Sequence, residues 1–243
     1  MQHRHVFILT PPFSGSTLLV RLLATSPQVS TFSTERGEGM NIPELREVMQ
    51  PDRWDPAKPM PWDQIRRVFE SHWDMTRPVL VEKGPANQLR TREIEAAFTG
   101  ASFVIMMRDP YAWCESMDRR GRRRGAAGLA MGEHARRWLL HARILREEAG
   151  RLARVLRFSY EALCDDTAEV VGKLVEFVPE IGALDPARDF DVHSTFGKRH
   201  NPITNANLSA LARLDAVQRR EISSVLGEDP ALLEYFSYEL RAS

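Results

Sequence analysis

A short apolar run that leads straight into a Ser/Gly-rich loop and then a helical pattern constrains the fold most. Residues 6–9, VFIL, suit a buried strand, and residues 16–25 place leucines on one side of a helix. The sequence TPPFSG joins the two. Such a strand–loop–helix unit is typical of parallel sheets, in which this loop lies at the carboxyl edge of the strands, where ligands bind.

Three further apolar runs predict strands at 78–82, 102–107 and 153–158. Helical patterns occupy 61–74, 89–98, 110–119 and 131–151. Strands that alternate with helices predict right-handed crossovers and a parallel β-sheet flanked by helices. After residue 160 the chain is mainly helical, apart from a polar stretch at about 186–207. We therefore predict a single α/β domain spanning 1–243, with a mainly helical C-terminal part.

The composition limits the possible partners and compartments. Lys and Arg total 33, as do Asp and Glu, so overall charge does not favour binding to nucleic acid or to an anionic membrane. Cys114 and Cys164 belong to no Cys/His cluster, which argues against a disulfide framework and against structural zinc. No apolar stretch suits a signal peptide or a membrane span. We expect a cytoplasmic protein with no metal and no nucleic-acid or membrane partner.

The loop at 13–17 has the features of an anion site. A helix N-terminus presents free backbone N–H groups and the positive end of the helix dipole. Gly15 permits close backbone approach, while the hydroxyls of Ser16 and Thr17 can donate to anion oxygens or cap the helix. The loop lacks the first glycine and the lysine of nucleoside-triphosphate loops. It therefore suits an anion that is transferred without a metal, such as a sulfuryl group, and a plain helix cap is the alternative.

Two later segments fit the same idea. Arg108 follows the third predicted strand, and Ser116 comes eight residues later on the next helix, so the two can hold one phosphate from two sides. Tyr160 and Glu161 end the fourth strand in the sequence FSYEAL. In this order the three segments resemble the motifs of the sulfotransferase superfamily, which uses 3′-phosphoadenosine-5′-phosphosulfate (PAPS). Bacterial and tyrosylprotein-type members are more similar than the cytosolic aryl type.

The resemblance covers about residues 6–164. It implies a fold like that of P-loop nucleotide kinases and a metal-independent, in-line transfer of the sulfuryl group from PAPS to a hydroxyl or amine. The acceptor would be a small molecule, glycan or peptide, and adenosine 3′,5′-bisphosphate (PAP) would be the product. The implied cofactor-binding residues are Phe13, Ser14, Gly15, Ser16 and Thr17 for the 5′-phosphosulfate, Arg108 and Ser116 for the 3′-phosphate, Tyr160 near the adenine, and Lys198 and Arg199 in a closing loop. Glu161 would be a structural anchor, and an ordinary solvated loop is the alternative for Lys198 and Arg199.

One position departs from the family pattern. Members usually place Arg or Lys directly before the Ser-Gly of the first motif, whereas this chain has Phe13. That cation normally helps to neutralise the charge that develops on the leaving phosphate. Lys83 ends the second predicted strand on the same edge of the sheet and resembles the strand-end lysine of tyrosylprotein and bacterial members. Lys83 is thus a catalytic candidate, and a solubilising strand-end charge is the alternative.

The acceptor must also lose a proton to a nearby base. In the tyrosylprotein branch this base is a glutamate shortly after the first helix. Glu35 is the first candidate at that place and Glu38 the second, although Glu35 is also explained as a surface carboxylate beside Arg36. Among the histidines, His200 in the expected closing loop is the candidate.

Other features leave alternatives open. The basic run at 119–125, RRGRRRG, predicts either a mobile lid that attracts PAPS or an acidic acceptor, or a solvated loop. Trp54, Trp62 and Trp73 either line an acceptor pocket or pack in the core. A kinase-like phosphotransferase that uses ATP, and a non-catalytic nucleotide-binding module in which Phe13 marks a lost activity, are the rival functions.

Overall fold

The computed structural model of the protein describes residues 2–34, 36–125, 128–188, 191–194, 197–200 and 203–241, with the backbone alone for 192–194 and 197–200. The strands are β1 Arg4–Leu9, β2 Val29–Thr31, β3 Val79–Lys83, β4 Ser102–Met107, β5 Val155–Ser159, β6 Asp191–Ser194 and β7 Gly197–His200. The helices are α1 Ser16–Leu23, α2 Arg46–Met49, α3 Trp62–His72, α4 Thr91–Ala97, α5 Pro110–Arg123, α6 Met131–Arg151, α7 Tyr160–Asp165, α8 Thr167–Phe177, α9 Asn207–Leu211, α10 Ala216–Leu226 and α11 Pro230–Tyr235. Short 3₁₀ turns lie at Gly39–Asn41, Pro43–Leu45, Pro85–Leu89 and Pro179–Ile181.

The central sheet has five strands in the order β2-β3-β1-β4-β5. All neighbouring pairs are parallel. The chain leaves β1 toward the β3 side and later crosses to β4, so the strand order reverses between β1 and β4. A crevice forms at the carboxyl ends of strands where the order reverses in this way. The predicted class, a parallel sheet flanked by helices with a mainly helical C-terminal part, is confirmed.

Both faces of the sheet are buried, which explains why its strands read as continuous apolar runs. Along β1, Val6 and Ile8 point to one core, and Phe7 and Leu9 point to the other. The first core contains α1 and α8, and the second contains α3, α5 and α6. Aromatic rings are concentrated in the second core, where Trp73 stacks on Phe32 with centroids 4.9 Å apart.

Three elements differ from the sequence-based prediction. The three-residue strand β2 went unpredicted because so short a run shows no periodicity. The polar stretch near residue 190 contains the antiparallel hairpin of β6 and β7. Helix α5 runs to Arg123 instead of ending near residue 119. Arg119 pairs with Glu115 and Arg122 with Asp118 one turn apart, and the last-turn arginines suit the negative end of the helix dipole.

Within the residues that the structure describes, no helix is both long and apolar enough to cross a bilayer.

A buried carboxylate lies near the carboxyl end of β3. Glu82 is 1% exposed, and its Oε2 accepts a hydrogen bond of 2.9 Å from the backbone N–H of Gly39. Its Oε1 accepts one of 3.3 Å from Asn87. Burial is the main influence and raises the pKa of Glu82 to about 7. Glu82 therefore holds the segment after residue 38 against the end of the sheet.

This shift predicts a pH-dependent stability. Between its ordinary pKa of 4.5 and about 7, Glu82 is ionised in the unfolded chain but protonated in the folded one. Its contribution therefore falls as the pH rises through this window, by roughly 3 kcal/mol in total, and is constant outside it. Glu82→Gln should remove this part of the slope and should unfold at higher denaturant concentration than the parent protein at pH 8, but not at pH 4.

The control is Glu176→Gln, since Glu176 is exposed on α8. Denaturant titrations of the three proteins at pH 4, 6 and 8 give the free energy of unfolding of each. The difference between the parent protein and Glu82→Gln is the contribution of the Glu82 carboxyl group. Parallel curves for the parent protein and Glu82→Gln across this range would show that the carboxyl does not titrate as stated.

Candidate active site

The loop between β1 and α1 leaves the first turn of α1 open. Gly15 is the N-cap residue with φ 86°, and no side chain caps the helix there, although hydroxyls stand on either side. In the first turn the N–H of Leu18 donates to the carbonyl of Gly15 at 2.9 Å, whereas the N–H groups of Ser16 and Thr17 precede the first helical hydrogen bond. The Ser14 Oγ is buried and has no hydrogen-bond partner among the described residues. Free donors at a helix N-terminus can bind an anion, so this loop stays a candidate anion site.

Gly15 is required at its position for two reasons. Its φ lies in the left-handed region, which other residues rarely adopt. A Cβ added there would also lie 2.4 Å from Cδ2 of Tyr160, because the tyrosine ring packs directly on the loop. The Tyr160 hydroxyl donates to the carbonyl of Thr204 and accepts from the N–H of Ala206, both at 3.1 Å. Tyr160 thus joins the loop to the segment that leads into α9.

Arg108 follows β4 and its guanidinium contacts the loop directly. Its Nη1 donates to the carbonyl of Phe13 at 2.8 Å, and its Nε donates to Oδ1 of Asn207 at 2.8 Å. Its Cζ lies 4.9 Å from the centre of the Tyr160 ring. Ser116, two turns along α5, is buried and lines the same cavity as Arg108. The structure therefore brings together the strand-end arginine, the helix serine and the loop.

Glu161 anchors the elements around Arg108. Its Oε1 accepts from the backbone N–H of Asp109 at 2.9 Å and from the side-chain amide of Asn207. Its Oε2 accepts from the hydroxyl of Tyr238 at 2.9 Å. The side chain joins the ends of β4 and β5 to α9 and to the C-terminal segment, which is a structural role.

Lys83 and Glu38 form a buried ion pair beside the loop. Lys83 Nζ lies 2.7 Å from Oε1 of Glu38, and the side chain of Lys83 is 2% exposed. Lys83 Nζ also donates to Oγ1 of Thr17 at 3.4 Å. Burial lowers the pKa of Lys83, and the charge of Glu38 opposes that effect. Asn41 donates to the other oxygen of Glu38 at 3.1 Å.

One cavity of about 850 Å³ contains the loop, Arg108, Ser116, Tyr160 and the Lys83–Glu38 pair. Cations dominate its lining: Arg36, Arg53, Lys83, Arg108, Arg119, Arg120, Arg124, Arg137 and Arg213. The carboxylates that line it are Glu38 and Asp118. Such a wall attracts and holds anions. In the part of the chain that the structure describes, no three His, Cys, Asp or Glu side chains lie together as a metal site would require.

Several candidate residues either do not line this cavity or lie outside the residues that the structure describes. Glu35 is outside the described residues, as are the side chains of Lys198, Arg199 and His200. The fully buried Ser14 does not line the cavity as Gly15, Ser16 and Thr17 do.

The three tryptophans considered for the acceptor pocket lie in different surroundings. Trp54 lines the cavity and is 39% exposed. Trp73 is buried in the core, and Trp62 donates to Glu93 and packs on the core. Only the first of these tryptophans faces the site.

Sequence reasoning missed two residues of the site and placed a third, Arg120, in a lid or loop. Arg120 places its guanidinium 4.5 Å from the ring centre of Phe13, at the position where the sequence lacks a cation. If the run RRGRRR is interpreted as helix, the i, i+4 spacing predicts that Ser116 and Arg120 lie on the same face. Asn207 and Glu82 carried no sequence signal, because each acts through a partner distant in the chain.

The sequence matches a family model. The chain matches the sulfotransferase family over residues 5–180, which includes the loop, both members of the buried ion pair, Arg108 and Tyr160. The chain belongs to the sulfotransferase family. No curated protein matches the sequence of this sulfotransferase.

Solved structures share the fold at low identity. The sulfotransferase domain from the curacin biosynthetic pathway superposes with a TM-score of 0.63 at 18% identity, over 99% of each chain. The sulfotransferase from Alicyclobacillus acidocaldarius gives 0.63 at 15%, over 99% of this chain and 98% of that one. The sulfotransferase domain of the Synechococcus PCC 7002 olefin synthase gives 0.59 at 21%, with the same coverage. These likenesses extend the shared fold beyond residue 180 to nearly the whole chain.

The contact of Gly15 with Tyr160 predicts a cost for any side chain at position 15. Gly15→Ala should lower the free energy of unfolding of this sulfotransferase by about 1–3 kcal/mol, because the left-handed backbone and the collision with the ring both oppose it. The matched control is Gly172→Ala in α8, where a Cβ meets open space and helix propensity favours alanine. Thermal and denaturant unfolding report both. Equal losses at the two positions would contradict the argument.

Proposed function

We propose that this sulfotransferase transfers the sulfuryl group of PAPS to a hydroxyl or amine of a small-molecule, glycan or peptide acceptor. One observation carries the proposal: the open N-terminus of α1, Arg108 with Ser116, and the Lys83–Glu38 pair all face one cavity. The first two supply sites for two separate anionic groups. The pair supplies a cation and a base next to the first of them.

The donor side of the site fits a bisphosphorylated nucleotide. The first turn of α1 and the hydroxyls of Ser16 and Thr17 would hold the 5′-phosphosulfate. Arg108 and Ser116 would hold the 3′-phosphate, and the Tyr160 ring would lie beside the adenine. PAPS, when bound, supplies an activated sulfuryl group and a phosphate leaving group.

Lys83 is placed to neutralise negative charge at the loop. Its ammonium lies between Thr17 of the loop and the carboxylate of Glu38. In a buried site the attraction between this cation and a developing oxyanion is stronger than in water. As charge builds up near Thr17, the ammonium is drawn toward the loop and its hold on Glu38 weakens.

Glu38 is placed to take the proton of the acceptor. Its carboxylate lines the cavity at hydrogen-bonding distance from Lys83. Weaker pairing with Lys83 raises the proton affinity of Glu38 at the moment when the acceptor loses its proton. Glu82 fixes this arrangement, because it binds the backbone N–H of the next residue, Gly39.

The donor assignment predicts the effect of two substitutions on binding of PAP. Arg108→Lys and Ser116→Ala should each weaken PAP by at least about tenfold in calorimetry, since each removes hydrogen bonds to a charged phosphate. Ser71→Ala, at an exposed hydroxyl on α3, is the control and should bind as the parent protein does. Unchanged affinity in a folded Ser116→Ala protein would place the 3′-phosphate elsewhere.

The base assignment predicts a loss of turnover without loss of binding. Glu38→Gln keeps the shape of the side chain but cannot accept the proton, so transfer should fall by roughly 10²–10⁴-fold while PAP affinity is retained. The measurement is transfer of radiolabelled sulfur from PAPS to a pool of cell metabolites. Glu35→Gln is the comparison, because the sequence offers both carboxylates.

The result decides between the candidates. Full turnover in Glu38→Gln together with a loss in Glu35→Gln would move the base to Glu35. Tight PAP binding by the parent protein with no transfer to any acceptor would show a non-catalytic nucleotide-binding module. Binding of ATP only with Mg²⁺ would favour a phosphotransferase.

A further inference from the structure

Four arginines line the cavity beside the residues proposed to hold PAPS, and one of them, Arg120, lies against Phe13 of the loop. Arg36 and Arg53 come from the region between α1 and α3, and Arg120 and Arg124 come from the end of α5. All four line the same cavity. We refer to them as the arginine cluster.

The members of the cluster are close enough to repel one another. Burial, followed by the charges of Arg124, Arg36 and Arg53 in that order of effect, lowers the pKa of Arg120 to about 10. Among the described residues, no carboxylate forms an ion pair with Arg36, Arg53 or Arg124. A chain with equal numbers of acidic and basic residues has thus gathered like charges around one cavity. Mutual repulsion of this kind is relieved when an anion binds.

The cavity cations near the proposed donor site have other partners. Arg108 binds the carbonyl of Phe13 and Asn207, and Lys83 binds Glu38. Arg213 forms a fork with Glu115, to which Arg119 also lies within 3.2 Å. Arg36, Arg53 and Arg124, which pair with no described carboxylate, therefore leave positive charge in the cavity for a ligand besides PAPS. Glu38 is among the charges that act on Arg120, so the cluster faces the proposed base.

An aromatic surface adjoins the cluster. Trp54 lines the cavity, and the guanidinium of Arg53 lies 5.9 Å from its ring centre. The ring of His141 contacts Trp54 with centroids 5.5 Å apart, and burial keeps that histidine neutral by lowering its pKa to about 4. Trp54 therefore offers a supported apolar face beside positive charge.

We propose that the acceptor carries a phosphate group, which the arginine cluster binds while Trp54 packs on the adjoining carbon skeleton. This inference rests on the proposed function and specifies its second substrate. Planar guanidinium groups match the oxygens of phosphate, and a doubly charged group uses several of them at once. The cluster then orients the acceptor hydroxyl or amine toward Glu38 and Lys83.

The test uses inorganic pyrophosphate as the probe, on the full-length protein saturated with PAP. PAP occupies the donor side, so further binding reports the remaining part of the cavity. Calorimetry should show pyrophosphate binding that weakens as salt is added. Arg36→Gln and Arg53→Gln should each reduce pyrophosphate affinity by about tenfold or more, without changing PAP affinity. Arg67→Gln, an exposed arginine on α3, carries the same charge change and should bind pyrophosphate as the parent protein does.

The outcomes separate this inference from the proposed function. Failure of the parent protein to bind PAP would contradict the proposed function itself. Binding of PAP without binding of pyrophosphate to that complex would overturn only the phosphate-bearing acceptor, as would equal effects of Arg53→Gln and Arg67→Gln. Tighter binding of citrate than of pyrophosphate at the same ionic strength would indicate that the acceptor carries carboxylate groups and not a phosphate group. Loss of PAP affinity in Arg36→Gln or Arg53→Gln would assign the cluster to the donor.

Discussion

The buried guanidinium of Arg108 is the contact on which the arrangement of the site depends. It binds the carbonyl of Phe13 in the first loop and the side chain of Asn207 at the start of α9, with the Tyr160 ring over it. Its own carbonyl accepts from the indole of Trp138 on α6 at 3.0 Å. A buried charge requires partners on every side, so removing one leaves the others poorly satisfied. The loop, the end of β4 and the C-terminal part are therefore fixed together.

Side chains alternate between the two faces of a strand, so the last two residues of β3 contact different parts of the protein. Glu82 and Lys83 are consecutive and point to opposite faces. Lys83 reaches the α1 face and contacts Thr17, while Glu82 reaches the other face and binds the N–H of Gly39. The backbone of residues 38 and 39 passes across the strand end, so that Glu38 meets the lysine and Gly39 meets Glu82. The buried Lys83 ammonium and the buried Glu82 carboxyl group thus position one short segment, and the proposed base lies on it.

Local sequence patterns predicted the elements whose structure depends mainly on residues close together in the chain. The runs that became β1 and β4, the helix at 131–151 and the loop before α1 all carry their signal within ten or so neighbouring residues. The strand-end positions of Lys83 and Arg108 followed from the shared edge of a parallel sheet. The partner of Lys83 did not follow, because β2 and the residues after it lie between α1 and Glu38 and no local pattern predicts that Glu38 returns to the end of β3. Asn207 meets Arg108 across 99 residues, a contact that no local pattern encodes.

The basic run after residue 118 shows a different limit. Its two glycines suggested a loop, yet the (i, i+4) pairs with Glu115 and Asp118 and the end of the helix dipole favour helix through Arg123. Gly121 meets open space, so it interrupts no packing. The left-handed φ of 75° at Gly125 follows the end of the helix instead. Charge pairing, rather than the glycine count, decided where α5 ends.

Phe13 departs from the family pattern without leaving the loop short of positive charge. Its ring receives the guanidinium of Arg120 at 4.5 Å, and an aromatic face holds a cation without neutralising it. Because Ser116 and Arg120 are one turn apart, a single face of α5 presents both the proposed phosphate ligand and this cation to the cavity. Lys83 approaches the loop from the strand on the other side. A cation at position 13 would be the third in a space where Arg120 already meets repulsion from its neighbours, so an aromatic residue that orients Arg120 suits this site better than another charge.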